Sequence, residues 1–95
     1  MPSEATLVRK IMKAVRLAYP AAYVRKLADK YNRGMPDILI LARSVLFVET
    51  KTPKGRLSKI QLAELELIMA AGGEVLVAKT VEEVLDKLEE MGAMA

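Results

Sequence analysis

Two short apolar segments separated by a turn most strongly constrain the fold of this chain. Segment 37–42 is an acid followed by five apolar residues, and segment 45–51 has four apolar residues before an acid, a threonine and a lysine. Apolar runs of this length predict β-strands, and their uninterrupted apolar character indicates that both faces of each strand are covered. The turn at Arg43-Ser44 predicts an antiparallel hairpin in the centre of a sheet.

The remaining segments predict helices and strands around this hairpin. A strand, a helix and a further strand imply a right-handed crossover, which places the fourth strand parallel to the third. Mixed polarity in the first strand is typical of an edge strand. We expect one α/β domain over 1–95, with a small mixed sheet flanked by helices in the order α-β-β-β-α-β-α. The predicted elements are a helix over 3–18, a strand over 22–27, the hairpin strands over 37–42 and 45–51, a helix over 58–71, a strand over 74–79 and a helix from 81 onward.

Residue types that the chain lacks restrict its chemistry. It has no cysteine and no histidine, so thiolate sites, disulfides and the usual general base are excluded. Catalysis would therefore depend on carboxylates, lysine, hydroxyls or a metal with oxygen ligands. No apolar run is long enough to span a membrane and the first residues do not resemble a signal peptide, so we expect a cytoplasmic protein. The net charge of +3 suits an anionic partner.

Charged residues at the ends of the hairpin strands form the candidate site. Asp37 begins one apolar strand, and Glu49 and Lys51 end the next. Two carboxylates at a buried strand end suit a divalent cation, most plausibly Mg²⁺, with the backbone carbonyl of Thr50 as a further ligand. Lys51 would face the same pocket, where it could orient or help deprotonate the attacking water and offset charge in a phosphoryl transition state. The alternative is an ordinary ion pair between Glu49 and Lys51.

The register of the hairpin decides whether the two acids can meet. A two-residue turn would pair Ile38 with Glu49, and Asp37 would then point to the opposite face. Convergence requires Asp37 across from Glu49 and Leu39 across from Phe47. We therefore predict an odd-length loop or a bulge in this hairpin.

Two further polar residues are candidates for the site. Helical spacing places Glu4 over the apolar face of the first helix, although a first-turn acid that complements the helix dipole explains it equally well. Gln61 stands three residues after Ser58, and this spacing is typical of a capping box, which alone accounts for the glutamine. The local pattern leaves both alternatives open.

The site residues resemble a known nuclease motif. Gly34, Pro36 and Asp37, a spacer of strand length, and then Glu49 and Lys51 match the PD-(D/E)XK nuclease superfamily, and the nearest branch is the VRR-NUC family. The order of the predicted elements is similar to the restriction-endonuclease-like core of that superfamily.

The resemblance implies further site residues and a function. Glu4 corresponds to the glutamate that the family has in its first helix, and Gln61 to the glutamine on the helix after the lysine, so both would join the catalytic set and Glu4 would be a candidate metal ligand. The implied activity is that of a Mg²⁺-dependent endodeoxyribonuclease, with Mn²⁺ as a substitute. Small stand-alone relatives from phages and bacteria imply a homodimer that acts on branched DNA such as four-way Holliday junctions.

Basic residues surround the proposed site and could contact a DNA backbone without reading its sequence. The alternative is that these residues form an ordinary solvated surface. The candidates for DNA binding are Arg33, Lys54, Arg56 and Lys59. The first helix carries a second basic face, and a third group lies near the first strand: Arg9, Lys10, Lys13 and Arg16, and then Lys26, Lys30 and Arg33.

Three functions from different classes fit these residues. The first is the metal-dependent endonuclease. The second is a nucleic-acid-binding module that keeps the fold but does not cleave, although such a module has no need for Asp37, Glu49 and Lys51 together. The third is a structural subunit with a buried ion pair, which would bind no divalent ion.

Overall fold

The fold is an α/β arrangement whose elements follow the predicted order. A computed structural model describes residues 3–27, 31 and 33–94. Each predicted end lies within one residue of the observed one. In chain order, the elements are α1 Glu4–Ala18, β1 Tyr23–Lys26, β2 Ile38–Ala42, β3 Ser44–Thr50, α2 Lys59–Ala70, β4 Glu74–Ala78 and α3 Val81–Glu90.

Four strands form one mixed sheet in the order β1-β2-β3-β4. The pairs β1-β2 and β2-β3 are antiparallel, whereas β3 and β4 are parallel. The parallel pair confirms the predicted crossover through α2, and the position of β1 at the edge confirms its predicted place. None of the helices in the described part of the chain is long and apolar enough to cross a membrane.

The β2-β3 hairpin has the odd register that the site requires. Ala42 pairs with Ser44 and Leu39 with Phe47, so Arg43 alone forms the tip of the hairpin. The prediction of a two-residue turn at Arg43-Ser44 is therefore wrong, because Ser44 already belongs to β3. Arg43 closes the tip in the left-handed region, with a φ of 81°. The prediction of an odd-length loop is confirmed.

One face of the sheet is sealed by α1 and α3, and we call it the sealed face. Ile38 and Ile40 on β2 and Leu46 and Val48 on β3 alternate with residues of the opposite face and are completely buried. The two helices contact each other and the strands beneath them. The buried residues of the two helices are Val8, Ile11 and Val15 on α1 and Val84 and Leu88 on α3.

The opposite face, which we call the open face, is covered only in part. It carries Leu39 and Leu41 on β2 and Val45, Phe47 and Glu49 on β3. Leu41 remains 44% exposed and Val45 40% exposed, so the expectation that both strand faces are covered is wrong at this end. The reason is geometric: a helix about 10 Å wide cannot cover four strands spaced roughly 4.8 Å apart, and α2 contacts the β4 side of the sheet.

Candidate active site

The candidate site lies at the end of the sheet where β2 begins and β3 ends. The β2-β3 pairing runs from Ala42 and Ser44 to Ile38 and Val48, and its continuation by one pair places Asp37 across from Glu49. The two acids therefore converge as the odd register predicts. Both belong to the open face, at the end remote from the exposed hairpin tip.

The loop before β2 packs directly on the beginning of α2. Gly34 adopts a φ of 85°, and a Cβ atom on it would lie 2.5 Å from the Ile60 Cγ2 atom and 2.8 Å from the Ile60 carbonyl oxygen. A side chain is therefore sterically excluded at this position as well as conformationally strained. Pro36 is fully buried two residues later. This contact brings Asp37 next to the N-terminal turn of α2, which carries Gln61.

Asp37 is held in place by Thr50. The backbone N–H and the side-chain hydroxyl of Thr50 both donate to Asp37 Oδ2, each over 2.7 Å. Both Thr50 groups thus fix one carboxylate oxygen at the strand end. The sequence pattern predicts a part for the Thr50 carbonyl but gives no signal for its hydroxyl bond, which forms only when β2 and β3 pair.

Glu49 is the most deeply buried acid of the site, with 1% of its surface exposed. Its Oε2 atom accepts a hydrogen bond from Gln61 Nε2 over 3.0 Å and lies 3.4 Å from Lys51 Nζ. Its Oε1 atom is buried and has no hydrogen-bond partner among the described residues. Burial and, to a smaller extent, the nearby Asp37 carboxylate together raise the pKa of the Glu49 carboxyl to about 7, against the opposing effect of Lys51.

Gln61 caps α2 and at the same time contacts Glu49 of the candidate site. Its Oε1 atom accepts from the Ser58 backbone N–H over 2.9 Å, and the Ser58 hydroxyl accepts from the Gln61 backbone N–H, which completes the predicted capping box. The cap fixes the orientation of the amide, so its NH₂ group faces Glu49. The two interpretations of Gln61 are therefore compatible.

Glu4 reaches the same cluster from the first turn of α1. Its Oε1 atom lies 3.8 Å from Lys51 Nζ, and its side chain remains 46% exposed. Lys51, whose side chain is only 8% exposed, thus lies between a buried and a half-exposed carboxylate. Ser3 caps α1 through the Thr6 N–H, so the helix that carries Glu4 has a fixed beginning.

The carboxylates form a site of suitable size for a divalent cation. One oxygen each from Glu4, Asp37 and Glu49 lies within 4.8 Å of the others. Opposite ligands of an octahedral Mg²⁺ are about 4.2 Å apart, so small side-chain adjustments would close the set around the ion. The unpartnered Glu49 Oε1 atom is the observation that fits a metal best, because a buried carboxylate oxygen without a partner is costly. Coordination of the ion by the Thr50 carbonyl stays a prediction.

All three helices begin at this end of the sheet. α1 starts at Glu4, α2 starts beside Glu49, and α3 starts three residues after β4 ends at Ala78, whose carbonyl accepts from the Lys51 N–H. Helix N-termini carry a partial positive charge and favour anions. They add to the suitability of this end for a phosphate group.

The basic residues near the site are exposed to solvent. Lys54, Arg56 and Lys59 lie between the end of β3 and the first turn of α2, and Arg33 lies in the turn before Gly34. Lys79, which is not among the predicted DNA contacts, donates from Nζ to the Pro53 carbonyl over 3.0 Å and ties this loop to the end of β4. Lys30 lies outside the described residues.

Comparisons with known proteins agree with this geometry. The family model described as the VRR-NUC domain matches residues 2–82. A solved structure described as a VRR_NUC domain superposes with a TM-score of 0.72 at 33% sequence identity, and the match covers 94% of this chain and 97% of that one. No curated protein matches the chain. The chain therefore belongs to the VRR-NUC family and carries a nuclease-type domain.

Proposed function

We propose that this protein, as one domain over 1–95, is a metal-dependent endodeoxyribonuclease that uses Mg²⁺, with Mn²⁺ as a substitute. The observation that carries the proposal is the unpartnered, buried Oε1 atom of Glu49, in a cluster that also holds Glu4, Asp37 and Lys51. A structural ion pair would leave no reason for two further acids to approach it. Asp37, Glu49 and the Thr50 carbonyl would bind the ion, with Glu4 as a further ligand.

Each side chain of the site has a distinct part in the proposed reaction. Lys51 lies between two carboxylates, where it orients the attacking water and offsets negative charge on the phosphate. Gln61 holds Glu49 Oε2, which leaves Oε1 directed away from the amide. When bound, the cation would lower the pKa of a coordinated water and stabilise charge on the phosphate oxygens. Attack at phosphorus breaks one ester bond and leaves a phosphate monoester and a hydroxyl.

We further propose that the substrate is branched DNA, such as a four-way Holliday junction, and that the active form is a two-fold homodimer in the cytoplasm. Two symmetric cuts in a junction need two sites related by a two-fold axis. Support for a second copy comes from a row across the open face, in which Tyr23 pairs with Leu41 and Leu41 with Val45. These three side chains are 40–48% exposed, and such an apolar patch is suited to a protein partner.

A nicking assay on plasmid and four-way-junction DNA with Mg²⁺ or Mn²⁺ tests the proposal. We expect cleavage by the wild type, none in EDTA, and a loss of at least about 100-fold in Asp37→Ala and Lys51→Ala. Lys87→Ala, which alters a residue paired with Glu74 at the opposite end of the sheet, is the control. Undiminished cleavage by both site variants would overturn the proposed site. A wild type that binds but never cleaves linear, flapped, forked or four-way DNA would favour the non-catalytic binding module instead.

A further inference from the structure

A row of basic side chains runs along α1, outside the candidate site. Arg9, Lys13 and Arg16 follow one another at spacings of four and three residues, so they lie on one side of the helix. They line a surface groove of about 380 Å³, whose other lining residues are Met12 and Leu17. We call these three cations the α1 row. None of the proposed catalytic steps uses them.

The α1 row has no acidic partner within the described residues. Arg9 contacts only a neutral group, the Thr6 hydroxyl, over 3.3 Å. Arg16 donates to the Val24 carbonyl over 3.0 Å, which turns its guanidinium towards the edge strand β1 and leaves further N–H groups for another acceptor. In contrast, Lys87 at the opposite end of the sheet is paired with Glu74 and Glu90. The α1 row is therefore a set of uncompensated charges.

The direction of α1 relates this row to the site. α1 begins at Glu4, which contacts Lys51, and continues away from the cluster to Ala18. At a rise of about 1.5 Å per residue, Arg9 lies roughly 8 Å and Arg16 roughly 18 Å beyond Glu4 along the helix axis. The distance of about 10 Å between these two arginines equals the rise of about three nucleotides along one strand of a duplex.

We propose that the α1 row binds the sugar-phosphate backbone of a duplex DNA arm that leaves the cleavage site alongside α1. This inference rests on the proposed nuclease function and adds a path for the substrate. The part of the chain that the structure describes places no aromatic side chain in the groove, so the groove offers no platform for stacking an unpaired base. Cations without acidic partners are suited to phosphates, and such contacts position a duplex without reading its sequence. An acidic peptide in the same groove is the competing occupant.

The test compares two double variants that each remove two positive charges from the net charge of +3. Arg9→Gln with Lys13→Gln alters the α1 row, whereas Arg43→Gln with Lys87→Gln alters the opposite end of the sheet. Fluorescence anisotropy measures binding of a labelled four-way junction in EDTA at several salt concentrations. We expect the first variant to lose about tenfold or more in affinity, with a salt slope shallower by about one to two. The second should change affinity less than about twofold.

A cross-linking experiment locates the contact directly. Because the chain has no cysteine, Lys13→Cys offers a single position for a photoactivatable cross-linker. We expect cross-links to duplex nucleotides within an arm, and none to an arm supplied only as a single strand. Cross-links confined to single-stranded DNA would overturn the duplex assignment.

The outcomes separate the two proposals. Equal affinities and salt slopes for the two double variants overturn the inference, and the nuclease proposal then stands or falls with the cleavage assay. A wild type that binds through the α1 row but does not cleave supports the inference and overturns the nuclease proposal. Absence of DNA binding by the wild type overturns both, and binding of an acidic peptide alone would assign the groove to that partner.

Discussion

The two faces of the sheet have different relations to solvent and to charge. On the sealed face, Ile38, Ile40 and Val48 are fully buried between the strands and two helices. On the open face, the same strands carry half-exposed Leu41 at one end and buried Glu49 at the other. The difference indicates that the sealed face supplies most of the folding free energy, whereas the open face carries the candidate site and the exposed apolar row. A single strand thus serves both purposes by alternation.

The largest expected difference between the two faces is a difference in stability between variants of two adjacent residues of β2. Ile40 is completely buried and Leu41 is 44% exposed. We expect Ile40→Ala to lower the free energy of unfolding by about 2–5 kcal/mol, because it removes buried methyl groups and leaves a cavity. Leu41→Ala should cost less than about 1 kcal/mol. Urea denaturation at one low protein concentration measures both, and equal losses would show that the open face is as well packed as the sealed one.

Glu49 should make the metal-free protein less stable as the pH rises. Its pKa is about 7 in the folded protein, against an ordinary value of 4.5, so between these values the folded state binds the proton more tightly than the unfolded state does. Stability from this group is therefore full below pH 4.5 and is lost as the pH rises through 7, by a total of about 3 kcal/mol. Thermal unfolding in EDTA between pH 4 and pH 8 measures the effect.

Glu49→Gln provides the matched control, since it keeps the shape of the side chain and removes the charge. Relative to the wild type, this variant should gain stability in EDTA at pH 8 and gain little at pH 5. Added Mg²⁺ at pH 8 should stabilise the wild type but not the variant. A variant that is less stable than the wild type at pH 8 in EDTA would contradict the assigned cause, which is a buried carboxylate without a cation.

Much of the fold and of the site could be predicted from local patterns. Spacing and caps are local properties, so the helices and their beginnings follow from residues such as Ser3 and Ser58. The convergence of Asp37 and Glu49 was predictable because side chains alternate between the two faces of a strand. Whether the hairpin loop has an odd or an even number of residues therefore decides whether the two acids share a face. The exposure of Leu41 was not predictable, since it depends on how far α2 extends across the sheet. The hydrogen bond from the Thr50 hydroxyl to Asp37 was not predictable either, because it exists only after β2 and β3 pair.

Removal of the Thr50 hydroxyl should have a smaller effect than the changes at Ile40 and Glu49, and this effect should be confined to the site. Thr50→Val keeps the backbone hydrogen bond to Asp37 and removes the side-chain bond of 2.7 Å. We expect metal affinity and cleavage to fall by about tenfold, as is typical for groups that orient metal ligands. Mg²⁺ titration by calorimetry and single-turnover cleavage measure the two losses. Thr52→Val, in the loop after the site, is the control, and a similar effect there would show that the Thr50 hydroxyl has no special part.

The smallest expected effect concerns Arg43, at the hairpin tip that joins the two strands and belongs to neither face. Its φ of 81° is unfavourable for a residue with a Cβ atom. Arg43→Gly should therefore raise the free energy of unfolding, by at most about 1 kcal/mol, because the relief of strain is partly offset by the greater entropy of glycine in the unfolded chain. Ser44→Gly, one residue later in extended β3, should instead lower it by about 0.5–1 kcal/mol. Cleavage should be unchanged in both variants, since the register is set by the packing of the sealed face. Altered cleavage with intact stability in Arg43→Gly would mean that the tip, rather than the core, holds Asp37 across from Glu49.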